Sequence, residues 1–195
     1  MAHANSIRER NRNDIYRLLY QHSGVSKQLL ADELGLSLPT VSHNLESLID
    51  AGLVAKDGTF SSTGGRPVTV YRCVSDARHA LGVEVTAHHV HMAVIDLSGS
   101  VMARREARLS FSANAAYLDE LGELVRGFYG ELGLDEAKLL GTTVSIQAIV
   151  SQDGEEVAFS TLLGDAHVRR ADFAKRLPGP VFLVHDAEAA GYAEL

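Results

Sequence analysis

Residues 25–53, VSKQLLADELGLSLPTVSHNLESLIDAGL, decide how this chain folds. They divide into two short amphipathic helices around a tight turn. The first covers Lys27–Leu34, with Leu29, Leu30 and Leu34 as its apolar positions and Ser26 placed as its N-cap. Gly35 follows at a corner where only glycine takes a left-handed conformation without steric cost. Ser37 caps the second helix, and Pro39 sits in its first turn, where a missing N–H loses nothing. Val41, Leu45, Leu48 and Ile49 recur at helical spacing and make the buried face, and Ala51-Gly52 ends the helix.

Ala31, Gly35 and Val41 stand at the spacing of a helix-turn-helix. A small residue admits the second helix, the glycine makes the corner, and the branched side chain locks the pair. The face left over holds Pro39, Thr40, Ser42, His43 and Ser47, with Asn44 at its edge and Ser37 at its start. These short hydrogen-bonding groups suit the base edges and phosphates of double-stranded DNA in a major groove. The plainer alternative is a helical hairpin with an ordinary polar face.

The residues that follow, GLVAKDGTFSSTGGRPVTVYR, tip the balance toward DNA. Leu53–Lys56 and Val68–Arg72 pattern as two strands of a hairpin around a Gly, Ser and Thr-rich loop. A helix-turn-helix followed at once by a hairpin is a winged helix, with the loop as its wing. That loop ends Gly64-Gly65-Arg66-Pro67, which presents Arg66 on extended backbone, and a narrow A·T-rich minor groove attracts such a guanidinium. The alternative is a solvated turn with Arg66 facing water.

Composition bounds the rest. At 195 residues and 46% apolar content the chain can build two small cores. Its net charge of −7 is unevenly spread: residues 1–79 hold 9 Lys+Arg and 8 Asp+Glu, whereas residues 80–195 hold 9 and 17. A near-neutral head on an acidic body allows DNA binding with modest non-specific affinity. Cys73, alone, forms no intramolecular disulfide and reads as a packed apolar group in a reducing compartment. No signal peptide or membrane helix is visible, so the expectation is a soluble cytoplasmic protein.

In chain order, a helix over Ile7–His22 has Ile7, Ile15, Leu18 and Leu19 on one side. Its Arg8, Arg10, Arg12 and Arg17 either touch phosphates or face water. The winged helix is expected over residues 1–72, a linker over 73–79 and a second domain over 80–195. In that domain the patterns predict strands at Leu81–Thr86, His89–Asp96 and Val101–Leu109, then a helix over Tyr117–Leu132. A strand over Leu140–Val150, a helix over Val168–Leu177, a strand over Val181–Val184 and a helix from Ala187 complete it. Three antiparallel strands followed by alternating units give an α/β mixed sheet of the ribonuclease-H-like order used by the actin and sugar-kinase superfamily. The chain stops inside its last helix, as the front part of something longer or a truncated relative would. His88, His89 and His91 face opposite ways on a strand and read as a solvated hairpin, and Asp153-Gly154-Glu155-Glu156 reads as a charged turn; no metal is expected.

Together these parts resemble the ROK family of bacterial repressors and sugar kinases. The carriers are SKQLLADELGLSLPTVSHNLESLIDAGLV with Gly64–Pro67, the run LGVEV with HMAVIDLSG, the segment from Gly141, and VHDAEAAGYAEL. The resemblance implies a homodimeric repressor of carbohydrate-use genes with a sugar or sugar phosphate as effector. It aligns His185-Asp186 with the family's sugar-site Asn-Asp, which makes both candidate ligand contacts, with Asp186 otherwise a helix cap. The departures argue against catalysis. The kinases' Asp-x-Gly-Gly-Thr phosphate loop corresponds to Glu84-Val85-Thr86-Ala87-His88, without glycine, and a Pro-Gly is replaced by Gln147-Ala148. The family's zinc motif would lie beyond residue 195. The expectation is a non-enzymatic regulator without cofactor. Its rivals are a ROK sugar kinase and an interaction fragment that binds no ligand.

Overall fold

Glycine and the alternation of apolar side chains set the architecture of a computed structural model that describes residues 2–22, 24–60, 67–147, 149–159 and 168–193. The chain divides into two units, Met1–Ala77 and Arg78–Leu195.

In the first unit, helix α1 (Ala2–Gln21) precedes a two-residue strand β1 (Val25–Ser26). Helices α2 (Lys27–Leu34) and α3 (Leu38–Asp50) follow, then strands β2 (Val54–Phe60) and β3 (Val68–Cys73). The three strands form one antiparallel sheet in the order β1-β3-β2. Ile15, Leu19, Val25, Leu30, Ala31, Val41, Leu45, Leu48, Val54 and Tyr71 make its core. Two expected core residues lie outside it. Ile7 is 57% exposed because the first turns of α1 run past the packed region, and Leu29 is 44% exposed because α2 turns Leu30 and Ala31 inward instead. The β2 strand is longer than its pattern predicts, since a register shift between Lys56 and Thr59, with Gly58 at φ 91°, carries pairing past the polar residues.

Residues 73–79 are short of a free linker. Cys73 closes β3, Ser75–Ala77 form a 3₁₀ turn, and His79 already belongs to the next strand. The Cys73 thiol lies 3.9 Å from the Tyr16 carbonyl, and burial pushes its pKa up, as suits a packed rather than a reactive group.

The second unit contains β4 (His79–Val85), β5 (His89–Asp96), β6 (Val101–Arg108), helix α4 (Ala115–Glu131) and β7 (Leu139–Ile146). Strands β8 (Ile149–Val150) and β9 (Val157–Phe159), helix α5 (Arg170–Ala174), β10 (Val181–His185) and α6 (Asp186–Ala193) complete it. Five strands order as β10-β7-β4-β5-β6, with β4, β5 and β6 antiparallel and β7 parallel to both β4 and β10. Alternation in β4 and β5 turns Leu81, Val83, Val85, Val90, Met92 and Val94 onto the core, against Leu121, Val125 and Phe128 of α4 and Phe173 of α5. The edge strand β6 is polar, with Arg104, Arg105, Glu106 and Arg108, which discourages pairing with other chains.

The predicted single strand over Leu140–Val150 is two strands, because the ladder stops at Ile146 and β8 pairs antiparallel with β9. The turn between β8 and β9 is held by its own acids: Asp153 accepts from the Ser151 hydroxyl and the Glu155 N–H, and Glu155 pairs with Arg170. The α5 helix is shorter than its pattern, with Asp172 accepting from the Arg169 N–H at its start.

At Gly141, β7 comes close to the start of β10 and the residue before it. A Cβ there would stand 2.6 Å from the Pro180 carbonyl oxygen and 2.9 Å from the Phe182 ring. Gly141→Ala should therefore destabilise the second unit by about 1–3 kcal/mol of overpacking, read as a lower urea midpoint. An unchanged midpoint would mean that the two strands separate freely.

His79 is 3% exposed, and its Nε2 lies 2.7 Å from the Tyr129 hydroxyl. Burial, aided by nearby Lys138 and opposed by Asp135, lowers its pKa. The folded state thus holds a neutral imidazole that the unfolded chain protonates near pH 6.5. Stability is fully present above that pH and falls as pH drops below it. Urea unfolding followed by tyrosine fluorescence should show this acid loss reduced in His79→Gln, which can still hydrogen-bond Tyr129; identical pH curves would rule it out.

Candidate nucleic-acid interface

Capping sets the ends of both helices before any function is considered. The Ser26 hydroxyl accepts from the Leu29 N–H at 3.2 Å. Gly35 at φ 61° closes α2, and the Leu36 N–H then donates to the Ala31 carbonyl at 3.0 Å. The Ser37 hydroxyl accepts from the Thr40 N–H at 3.3 Å to start α3, with Pro39 in its first turn. Val41 and Leu45 are fully buried and Leu48 is 3% exposed, so the opposite side of α3 faces outward.

The candidate residues occupy this face unequally. Pro39 and His43 are exposed, and Thr40, Ser42 and Ser47 are half-buried. The Ser37 and Thr40 hydroxyls lie 2.8 Å apart and serve the cap as well as the surface. Asn44 departs from the expected groove edge: it is 5% exposed, and its amide donates to the Thr40 carbonyl at 2.8 Å. The cause is its position one turn after Thr40, where a short amide reaches back to the helix's own backbone. Arg66, with Gly64 and Gly65, lies outside the described residues, although the strands that carry the wing are in place.

Lys27 was not singled out from the sequence. Its Nζ donates to the Ser42 hydroxyl at 3.0 Å and stands 5.9 Å from the Tyr71 ring centre, which places a cation at the junction of α2 and α3. A basic residue in the first turn of the leading helix was the available signal. The α1 arginines also separate: Arg8 and Arg12 line a cleft of about 290 Å³ against His43, Asn44 and Ser47 of α3.

In the second unit, His185 ends β10 and Asp186 begins α6. The Ala187 N–H donates to Asp186 Oδ1 at 2.8 Å and to His185 Nδ1 at 3.0 Å. Asp186 thereby satisfies a helix-end donor, and a His185 nitrogen accepting that bond has no proton to give the carboxylate 3.1 Å away. A separate groove of about 680 Å³ lies over the outer sheet face, lined by Glu84, His91, Arg104, Glu106, Ser145 and Ala189 among others, and neither His185 nor Asp186 lines it. His89 and His91 share one face, 3.7 and 3.9 Å from Glu106, whereas His88 belongs to the preceding turn. No metal-holding cluster of His, Cys, Asp and Glu occurs among the described residues.

Where the kinases' phosphate loop was aligned, the chain turns back on itself. The Thr86 hydroxyl donates to the His89 carbonyl at 2.9 Å and accepts from the His89 N–H at 3.1 Å. The carbonyls of Ala87 and His88 accept from Phe111 and Leu109.

Two helices at a glycine corner, a β-wing and a following ribonuclease-H-like sheet define a winged-helix protein joined to part of a sugar-kinase-like domain. Residues 8–55 match the family model for winged helix-turn-helix DNA-binding domains. The chain is 20% identical to the xylose repressor of Bacillus subtilis over 96% of its own length and 49% of that protein's. It is 24% identical to the DNA-binding transcriptional dual regulator NagC of Escherichia coli, over 78% of this chain and 38% of that one. The solved structure of a ROK family transcriptional regulator, a homologue of the E. coli MLC protein, superposes with a TM-score of 0.74, at 19% identity and over 96% of this chain and 48% of that chain. A ROK family glucokinase from Streptomyces griseus matches over 58% of this chain and 35% of its own, at 19% identity with a TM-score of 0.50. Over nearly its whole length the chain is thus similar to proteins named as sugar-responsive repressors, and its fold is that of a ROK family transcriptional regulator. It spans about half the length of the curated relatives it matches. No helix among the described residues is long and apolar enough to cross a membrane.

The division of α3 into a packed and a presented side has a direct test. Leu45→Ala should destabilise the first unit by roughly 2–5 kcal/mol in urea unfolding, whereas His43→Ala should leave it within about 0.5 kcal/mol of the parent. Equal losses would make the polar side a packing surface.

Proposed function

We propose that this chain is a sequence-specific DNA-binding regulator that represses carbohydrate-use genes, with a second unit that senses rather than phosphorylates. The observation that carries this reading is the outward face of α3, where Pro39 and His43 are exposed and Thr40 is half-buried, on a helix that a wing hairpin follows in the chain. Ser37, Ser42 and Ser47 supply further hydroxyls, Lys27 a phosphate contact, and Arg66 a minor-groove contact. Asn44 acts by stiffening the helix through its bond to Thr40. The names of the xylose repressor and of an N-acetylglucosamine repressor of Escherichia coli, 24% identical over 78% of this chain, support a sugar or sugar phosphate as effector. We take the regulator to be a cytoplasmic homodimer, as the family resemblance implies.

The kinase reading rests on shared fold, and fold hosts many functions. Phosphoryl transfer needs backbone N–H groups close to the phosphates and an aligned hydroxyl. Thr86, Ala87 and His88 put Cβ atoms at that approach, and the Thr86 hydroxyl is spent on His89. In a sensor, Asp186 accepts from a sugar hydroxyl instead of deprotonating it.

The test begins by selecting duplexes from a random library with the full chain. Replacing Ser42 and His43 with Ala should weaken binding to the selected duplex by roughly 1–3 kcal/mol per base contact and leave binding to a scrambled duplex unchanged. Equal affinity of the parent for both duplexes would overturn sequence-specific recognition. Sugar-dependent ATP consumption that vanishes in Asp186→Asn would make the kinase reading primary.

A further inference from the structure

Four arginines lie on α1, and their partners divide them. Asp14 lies 4.0 Å from Arg10 and 3.9 Å from Arg17. Arg8 and Arg12, one helical turn apart, have no ion pair among the described residues, and both line the cleft of about 290 Å³ whose other wall is α3. His43 and Ser47, also one turn apart, face them across it, and Glu9 is the lone carboxylate in the lining. Two guanidiniums against one carboxylate leave the cleft positive, and an imidazole and a hydroxyl add further hydrogen-bonding groups. A guanidinium is weakly hydrated and presents parallel N–H groups that fit two oxygens of one phosphate.

The position of the cleft names the ligand. Its α3 wall is the His43–Ser47 edge of the helix proposed to enter the groove, and a groove is bordered by phosphodiesters. We infer that the α1–α3 cleft seats a backbone phosphate of duplex DNA, held by Arg8 and Arg12 beside the recognition helix; this rests on the DNA-binding reading above. The contact carries no sequence information. It sets how α3 is registered against the duplex, and it gives an acidic chain a local positive site where one is needed.

Duplexes selected by the full chain are titrated against sodium chloride. In Arg8→Ala/Arg12→Ala the slope of log affinity against log salt should become shallower by about 1 for each arginine removed, with the same loss of affinity on selected and scrambled duplexes. Arg8→Lys/Arg12→Lys should keep the parent slope, because the slope counts charges. Arg17→Ala, which removes a partner of Asp14, should change it less. Circular dichroism confirms that the variants keep their helices. An unchanged slope in the double alanine variant overturns the phosphate seat and leaves the DNA reading standing, while a selection that enriches no duplex overturns both. Inorganic phosphate without DNA is the second arm. If it raises the melting temperature of the parent but not of the double alanine variant, and the DNA slopes are equal, the cleft holds a free anion and the duplex assignment falls.

Discussion

The packing of Val41 and Leu45 against Leu30 and Ala31 governs what the first unit can present. A helix of 13 residues is marginal in water by itself. Its burial against α1 and α2 both makes it a helix and fixes its rotation about its axis. Each buried aliphatic side chain contributes roughly 1.5–3 kcal/mol, so a roll that exposed Val41, Leu45 and Leu48 would cost several times what any polar contact returns. Thr40, His43 and Ser47 are therefore held outward by residues that never reach the surface. Ala31 has a supporting part: 6% exposed, it is small enough to leave room for α3.

The second unit is organised by a different constraint, the period of two along β4 and β5. Leu81, Val83, Val90 and Met92 commit one face to α4, and Gly82, Glu84, His91 and Ala93 necessarily take the other. The groove over that outer face is lined by these same residues. Gly141 and Gly179 then allow β7 to approach the loop before β10, where the Thr142 N–H and hydroxyl donate to the carbonyls of Pro180 and Pro178.

What could be read from the sequence follows from how local its cause is. The caps Ser26 and Ser37, the corner Gly35 and the buried stripe of α3 depend on residues within one or two turns, and all were legible. The order of strands and helices in the second unit was legible because alternation and helical period are local too. Strand β1 was not, since Val25 and Ser26 become a strand only by pairing with Tyr71 and Val70. The split of β7 from β8 likewise depends on the distant β9. Ile7 and Leu29 were misplaced because helical period gives a stripe but not which part of it a neighbour covers, and Asn44 because its amide turns back to the Thr40 carbonyl. In the site, the outward face was visible, but Lys27 reaching Ser42 and the sorting of four arginines by Asp14 are facts of three-dimensional proximity.

The corner between β4 and β5 is closed by the chain's own hydrogen bonds. The sheet order is that of sugar kinases, and the superposition on the glucokinase extends over 58% of the chain. A phosphate loop requires N–H groups that point outward and no side chain in front of them. Here the Thr86 N–H donates to the His89 carbonyl, and the Thr86 hydroxyl exchanges two further bonds with the same residue. Three hydrogen bonds between Thr86 and His89 close a turn without left-handed glycine, and they spend on the chain itself donors that a phosphate would need. Strands β4 and β5 keep their register through this exchange, His89 opening β5 with His91 and Val90 paired to Glu84 and Val85. Val85 and Val90, on either side of the corner, stay in the core, so the sheet is held by residues other than Thr86, Ala87 and His88.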